Sequence, residues 1–145
     1  MQVLAIALIA ILTSIALLHG YWGLGGRWPA RDESSLADRV IGRTPGGKMP
    51  PPLACYAVAV AILIGVGLIA LISFAQLRAA PKTLALLAYG VLSAVFLLRG
   101  LAGYVPALWR RSAGTAFVRL NTLYYSPLCL LLGAGLIANL AGRQP

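Results

Sequence analysis

The sequence predicts an all-α fold, a four-helix transmembrane bundle with a long, partly irregular first loop. Of its 145 residues, 60% are hydrophobic and only 10% are charged, and the mean hydropathy is +0.86. This composition is too apolar for a soluble domain of that length. Four apolar stretches are each close to the ~20 residues that cross ~30 Å of hydrocarbon. We therefore expect one integral membrane domain over residues 1–145, with spans at about 3–24, 53–76, 83–105 and 120–141.

Helices are the expected form of all four spans, because backbone polar groups must be paired inside hydrocarbon and no alternating barrel pattern occurs. The first span lacks a basic leader and a clear cleavage site, so we expect it to be retained. The short link between the second and third spans predicts antiparallel neighbours. Small residues at four-residue spacing predict close packing seams; these are Ala57, Ala61 and Gly65 in the second span and Ala134 and Ala138 in the fourth.

The first loop, residues 25–52, divides into two parts. Its first part, "DESSLADRVIG", predicts a short amphipathic helix at the membrane interface, with Leu36, Val40 and Ile41 on its apolar face. Its second part, "RTPGGKMPPP" (43–52), is predicted to be irregular because glycines and prolines interrupt regular structure.

Positive charge is concentrated on one side of the predicted bundle. The net charge is +9, but the basic residues form no run with interleaved aromatics, so nucleic acid is not an expected partner. One side of the bundle has three basic residues, Arg78, Lys82 and Arg143. The other side has eight, all in the loops 25–52 and 106–119: Arg27, Arg31, Arg39, Arg43, Lys48, Arg110, Arg111 and Arg119. The positive-inside rule predicts that these two loops are cytoplasmic and that both termini lie outside.

Familiar catalytic and metal motifs are absent from the sequence. Cys55 and Cys129 are not spaced as ligands, and their depths in the predicted spans differ by roughly 10 Å, which is too far for a disulfide. His19 is the only histidine, so we predict no metal site within one chain. A hydrogen-bonded structural histidine is the alternative to a functional one, and a haem bridged between two protomers is left open. No GxGxxG, GxSxG or HExxH pattern occurs, and no cofactor is identified.

Chain direction brings polar residues of all four spans to the side of the two longer loops. The first and third spans end there, and the second and fourth begin there. We predict a polar, aromatic-lined pocket on this side, formed by His19, Trp22, Trp28, Arg99, Tyr104, Asn121, Tyr125 and Ser126. An aromatic belt at the membrane boundary is the alternative explanation for the tryptophans and tyrosines.

Arg99 is the central residue of this prediction, because it lies roughly 9 Å inside the end of the third span. It either snorkels to the interface or needs a counter-charge. The counter-charge is a loop carboxylate such as Asp32, Glu33 or Asp38, a set of neutral oxygens, or an anionic ligand. Ala102 and Gly103 are expected to leave space beside its guanidinium.

The fourth span combines a polar stripe with a helix-breaking residue. Asn121, Tyr125 and Cys129 recur every four residues and are expected to share one face. Pro127 predicts a kink near Ser126.

Three segments resemble a family of small bacterial four-helix membrane proteins catalogued as a domain of unknown function. They are "HGYWGLGGRWP" (19–29), "LLRGLAGY" (97–104) and "FVRLNTLYYSPLCLLLG" (117–133). The resemblance implies a bacterial inner-membrane location and two recurrent segments, and it implies no activity. Those segments are matched here by His19, Trp22, Gly25, Trp28 and Pro29, and by Tyr125 to Cys129.

Three classes of function are consistent with this pattern. The first is a non-catalytic or accessory membrane protein whose pocket binds a membrane lipid headgroup or another anionic or amphipathic molecule. The second is a membrane enzyme acting on a lipid or isoprenoid, with His19 as base or Tyr125 as acid. The third is a small transporter or a structural subunit of a larger complex. A homo-oligomer is left open.

Overall fold

The computed structural model describes residues 2–75 and 79–142. Of residues 79–81 it describes only the backbone. A π-helical turn at Asn121–Tyr125 joins its last two helices, and short 3₁₀ turns lie at Pro45–Gly47 and Pro106–Ser112. In chain order the helices are α1 (Gln2–Gly23), α2 (Glu33–Val40), α3 (Pro52–Phe74), α4 (Ala79–Ala102), α5 (Ala116–Leu120) and α6 (Ser126–Ala141).

Among the described residues, four helical stretches are long and apolar enough to cross a membrane: α1, α3, the part of α4 from Lys82, and the continuous stretch Ala116–Ala141. Within the described ranges no strand occurs. The chain is therefore an all-α four-helix membrane bundle, as the sequence predicts. Arg78 and Arg143, which contribute to the predicted charge asymmetry, and residue 76 of the second predicted span lie outside the described residues.

The bundle consists of two closely packed helix pairs. The most extensive packing joins α1 to α3 and α4 to α6, whereas the contacts of α3 with α4 and of α1 with α6 are smaller. On α1, three- and four-residue spacing gives one buried face, because those intervals return to the same side of a helix. The core combines this face with residues of the other spanning helices, namely Ala5, Leu8, Leu12, Ile69, Tyr89, Leu132 and Leu136.

Glycines allow the close approach of α4 to α6. A Cβ added at Gly100 would lie 2.7 Å from Leu130, and one added at Gly133 would lie 2.7 Å from Leu97. Of the small residues predicted to form seams, only Gly65 is buried, and the prediction is wrong for the exposed Ala57, Ala61, Ala134 and Ala138. On a helix that is apolar on every side, spacing alone does not distinguish a lipid-facing stripe from a packed one.

A buried asparagine connects the two helix pairs away from the longer loops. Asn139 of α6 donates hydrogen bonds to the Tyr89 hydroxyl of α4 at 2.9 Å and to Ser73 Oγ of α3 at 3.3 Å. Its side chain is fully buried. Because the direct packing between α3 and α4 is limited, these bonds specify how the two pairs fit together.

We expect Asn139→Ala to lower the free energy of unfolding by about 1–2 kcal/mol, since interhelical hydrogen bonds in membrane proteins contribute about 0.6 kcal/mol on average and a cavity adds to the loss. Reversible unfolding in mixed detergent micelles measures this change. Ser14→Ala is the control, because the exposed Ser14 hydroxyl bonds only to the Ala10 carbonyl of its own helix. Equal stabilities of the Asn139 variant and the wild type would contradict the assignment.

The short helix α2 is capped at its start by Asp32, which accepts hydrogen bonds from Ser35 N and Ser34 Oγ. Bonds from Ser35 and Ser34 lower the pKa of Asp32 to about 2, so this carboxylate is ionised at neutral pH. The apolar face of α2 turns towards the protein, since Leu36 and Ala37 are each only 1% exposed. The predicted amphipathic helix is therefore present, and its buried apolar residues pack against the protein itself, where α2 contacts α5 and the turn Pro45–Gly47.

Candidate ligand-binding site

The two longer loops fold together over one end of the bundle, and we call residues 25–52 and 106–119 the cap. Asp38 accepts the backbone N–H of Ala116 at 3.1 Å, and Ser112 Oγ accepts that of Arg43 at 3.2 Å. The Asp38 bond is a helix cap supplied from the other loop, because the first N–H groups of a helix have no partner within it. These two bonds hold α2 against the start of α5.

Arg99 lies beneath one side of the cap, at the centre of a group that we call the Arg99 cluster: Arg99, Gly103, Trp109, Asn121 and Ser126. Arg99 Nη2 donates to Asn121 Oδ1 at 2.8 Å, and the guanidinium carbon lies 5.3 Å from the centroid of the Trp109 ring. Asn121 Nδ2 donates to the Gly103 carbonyl at 3.2 Å, and Ser126 Oγ donates to Asn121 Oδ1 at 3.4 Å. These contacts connect α4 to the π turn and to α6.

The guanidinium of Arg99 is neutralised by no carboxylate within the described part of the chain. Its partners are an amide oxygen and an aromatic face, which corresponds to the neutral-oxygen alternative left open by the sequence. Each acidic residue of the cap accepts a backbone N–H elsewhere: Asp32 from Ser35, Glu33 from Met49 and Asp38 from Ala116. Nη1 of Arg99 is buried and has no acceptor among the described residues.

The π turn explains why Asn121 and Ser126 meet. Residues five apart are about 140° apart around an α-helix, but the i→i+5 bonding of a π turn brings them nearly onto one face. The backbone N–H of Ser126 donates to the Asn121 carbonyl in this pattern. Pro127 offers no N–H to the Leu123 carbonyl, which weakens regular hydrogen bonding at this point. The irregularity predicted near Ser126 takes the form of this turn.

Because the π turn shifts the register by one residue, the predicted stripe of Asn121, Tyr125 and Cys129 is interrupted. Asn121 pairs with Ser126, and Tyr125 points to the cap, where its hydroxyl donates to the Arg39 carbonyl at 3.2 Å. The space expected beside Gly103 is also filled, since an added Cβ would overlap Ser126 Oγ. This space is occupied by the protein's own side chains.

His19 lies near the end of α1, on the other side of the capped end, and its side chain faces residues of α3 across a small cavity. Its Nδ1–H donates to the Ile15 carbonyl at 2.8 Å, and its ring packs edge-on against Trp22 with 5.1 Å between centroids. The indole N–H of Trp22 donates to the Trp28 carbonyl at 2.8 Å and thereby holds the loop that follows α1. We call His19, Trp22 and Trp28 the His19 group.

Two small cavities adjoin the His19 group and share Trp22, Met49 and Pro50 as walls. The inner one, about 150 Å³, is otherwise lined by His19, Val40, Ile41, Ala54, Cys55 and Val58. The outer one, about 180 Å³, is otherwise lined by Gly23, Gly25, Gly26, Arg27, Glu33, Leu36 and Pro52. A shallow apolar groove on α1, bordered by Tyr21 and Trp28, faces outward beside them.

The family model described as "Protein of unknown function (DUF3995)" matches residues 12–136. The chain belongs to the DUF3995 family. The matched DUF3995 range includes every residue of the Arg99 cluster and of the His19 group, and it confirms the resemblance to a membrane family of unknown function. No curated protein and no solved structure matches the chain.

The residues predicted to form one pocket lie in two groups at the capped end of this DUF3995 protein. Arg99, Asn121 and Ser126 belong to the Arg99 cluster, and His19, Trp22 and Trp28 to the His19 group. The remaining two are separate: Tyr125 bonds to the cap, and Tyr104 is 46% exposed. Chain direction brings all of these residues to one end of the bundle, but the pairing of α1 with α3 and of α4 with α6 divides them.

Sequence reasoning missed Trp109 and Met49. Trp109 was counted with the aromatic belt, although its N–H donates to the Ala102 carbonyl at 2.8 Å and caps the end of α4. Met49 belongs to a segment predicted to be irregular, and no periodic signal connects it to the helices. No spacing in the sequence connects Trp109 with Arg99, and the two arginines next to it in "LWRR" are not the ones it contacts.

Proposed function

We propose that this protein is a non-catalytic or accessory membrane protein that binds an anionic amphipathic molecule, such as a lipid with a phosphate headgroup, at the capped end of the bundle. Arg99 supplies the charge that recognises the anion. The observation that carries the proposal is the buried Nη1 of Arg99, which has no acceptor among the described residues. It belongs to a permanently charged group that no described carboxylate neutralises.

The energetics of the Arg99 cluster favour an external anion. A buried donor without an acceptor costs about 1–3 kcal/mol, and more when the group is charged. Asn121 Oδ1 already accepts bonds from both Arg99 and Ser126, so it has little capacity left for Nη1. A phosphate oxygen at Nη1 would have two effects: it would accept a charge-assisted hydrogen bond, and its negative charge would neutralise the guanidinium.

The outer surface of the cap supports the same class of ligand. The three carboxylates of the cap accept main-chain N–H groups and pair with none of its basic side chains. Each Lys or Arg near an anionic membrane surface contributes about 1 kcal/mol of attraction. The exposed basic residues are Arg27, Arg31, Arg39, Arg43, Lys48, Arg110, Arg111 and Arg119. The proposal includes a bacterial inner-membrane location with the cap in the cytoplasm, which the positive-inside rule supports.

Native mass spectrometry of the detergent-purified chain with phosphatidylglycerol tests the proposal. We expect Arg99→Gln to lower phosphatidylglycerol affinity by about tenfold or more, equivalent to ~1.4 kcal/mol, because glutamine keeps an N–H donor for Asn121 but removes the charge. Arg119→Gln is the matched control: it removes one charge from an exposed position in α5 and should change affinity less than about twofold.

Retention of wild-type phosphatidylglycerol binding by Arg99→Gln would refute the proposal, as would an equal loss in Arg119→Gln. Thermal midpoints in lipid-free detergent separate a binding defect from a folding defect. If Arg99→Gln does not fold, Arg99→Lys becomes the decisive variant. It preserves the charge and should bind phosphatidylglycerol in preference to phosphatidylcholine, and absence of that preference would count against the role of Arg99.

A further inference from the structure

We infer that His19, Met49 and Cys55 form a binding site for a soft monovalent metal ion, Cu(I), in the inner cavity beneath the cap. This site is separate from the Arg99 cluster and does not depend on the proposed function. Its three donors are an imidazole nitrogen, a thioether sulfur and a thiol sulfur, and all three residues line one cavity of about 150 Å³.

Three different elements supply the donors. His19 lies near the end of α1, Cys55 near the start of α3 and Met49 in the linker before α3. The rest of the cavity wall is mostly aliphatic, with Trp22 as its aromatic member. Aliphatic side chains offer a metal ion no competing donor atoms, so the three side chains are the ligands that this wall makes available.

His19 has the hydrogen-bonding pattern of a metal ligand. A carbonyl oxygen can only accept, so the 2.8 Å bond to Ile15 requires the proton on Nδ1 and leaves Nε2 of the neutral ring with its lone pair. Metal-binding histidines commonly donate their other N–H to a backbone carbonyl in this way, which fixes the tautomer. The edge-on contact with Trp22 further restricts the ring.

The thiol of Cys55 is buried, and the backbone that carries Met49 is held in place. Cys55 is a free thiol and is only 6% exposed. The backbone N–H of Met49 donates to Glu33 Oε1 at 2.9 Å, and the Thr44 hydroxyl donates to the carbonyl of the preceding residue, Lys48, at 2.8 Å. The otherwise irregular linker is therefore fixed on both sides of the Lys48–Met49 peptide bond.

The donor set and its charge favour Cu(I) over Zn²⁺. Thiolate and thioether ligands select soft ions such as Cu(I), whereas structural zinc sites use four His, Cys, Asp or Glu ligands. In residues 2–75 and 79–142 no three such side chains form a group that could hold a metal ion. Binding of Cu(I) would release the thiol proton of Cys55. The resulting Cu(I)–thiolate pair is neutral, which lowers the cost of placing it in an apolar cavity.

Competition between the full-length, tag-free chain and bicinchoninate for Cu(I) under reducing, anaerobic conditions tests the site. We expect one Cu(I) per chain, and a loss of affinity of about 100-fold or more in Cys55→Ser and about tenfold in Met49→Leu. Cys129→Ser is the matched control. It makes the same change at a thiol that does not line the inner cavity and should alter affinity less than about twofold.

Failure of the wild-type chain to take Cu(I) from bicinchoninate would overturn the inference, as would equal losses in Cys55→Ser and Cys129→Ser. X-ray absorption of the loaded protein should show sulfur and nitrogen neighbours, with the nitrogen lost in His19→Gln. If Cys55→Ser does not fold, Met49→Leu decides the question, because the side chain it changes is in a linker outside α1 and α3. Unchanged binding in that variant and in His19→Gln would exclude the site.

Discussion

Gly103→Ala is expected to disrupt the Arg99 cluster and to lower the free energy of unfolding by about 3 kcal/mol, the upper end of the ~1–3 kcal/mol cost of overpacking. Its Cβ would overlap Ser126 Oγ and lie 2.8 Å from Ser126 Cβ and 3.0 Å from Asn121 Nδ2. Neither neighbour can move away easily, because both are fully buried and are bonded to each other. Unfolding in mixed micelles measures the loss of stability.

Gly90→Ala is the matched control for Gly103→Ala. Gly90 lies in the same helix, and nothing is within 4 Å of a Cβ added there, so alanine should be neutral or slightly stabilising. Adding Ser126→Gly to Gly103→Ala should recover part of the stability, because the overlapping side chain is removed. Equal stability of the two single alanine variants, or no recovery in the double variant, would mean that α4 and α6 are not in close contact at Gly103.

Hydropathy and chain direction were sufficient to predict the bundle and the end at which its polar groups gather. A charge such as Arg99 is costly at the centre of a span, so its position near one end already restricted its surroundings. Asn121 and Ser126 were expected at the same end, and both are direct members of the Arg99 cluster. These inferences depend only on depth in the membrane, which sequence position determines well for helices.

Rotation about the helix axes was much harder to predict. The stripe of Asn121, Tyr125 and Cys129 assumes an uninterrupted α-helix, and the π turn changes which residues face α4. Helix pairing has the same difficulty, because aliphatic side chains cover every side of α1 and α3 and any of their faces could be buried. The residues of the single expected pocket fall into two groups, because sequence position indicates the end of the bundle at which a residue lies but not the side of the helix that it occupies.

The acidic residues of the cap show a second limit of sequence reasoning. Glu33 and Asp38 were considered as counter-charges for Arg99, but they bind main-chain N–H groups that would otherwise lack partners. Charge alone suggests ion pairs, whereas a folded loop has more unpaired backbone donors than a sequence shows. These carboxylates build the cap and leave Arg99 to neutral groups.

The cap depends on Gly42, and Gly42→Ala is expected to detach α2 from α5. Gly42 ends α2 with a φ of +94°, and an added Cβ would overlap Ser112 Oγ and lie 2.6 Å from Ser112 Cβ and 3.2 Å from Phe117. A left-handed conformation costs an alanine about 1–2 kcal/mol, and overpacking adds ~1–3 kcal/mol. Amide hydrogen exchange over residues 33–42 and 112–117 should accelerate by about 100-fold or more, equivalent to ~3 kcal/mol.

Gly114→Ala separates the backbone strain from the packing clash. Gly114 has a φ of +82°, and nothing lies within 4 Å of its added Cβ, so only the left-handed cost of about 1–2 kcal/mol applies. Similar exchange rates in the two variants would show that contact with Ser112 and Phe117 does not hold the cap. The bond from Arg99 Nη2 to Asn121 Oδ1 should be preserved in either case, because both residues lie outside the cap and join α4 to the π turn. If the cap opens while this bond persists, the contact between α2 and α5 does not determine how α4 packs against the π turn.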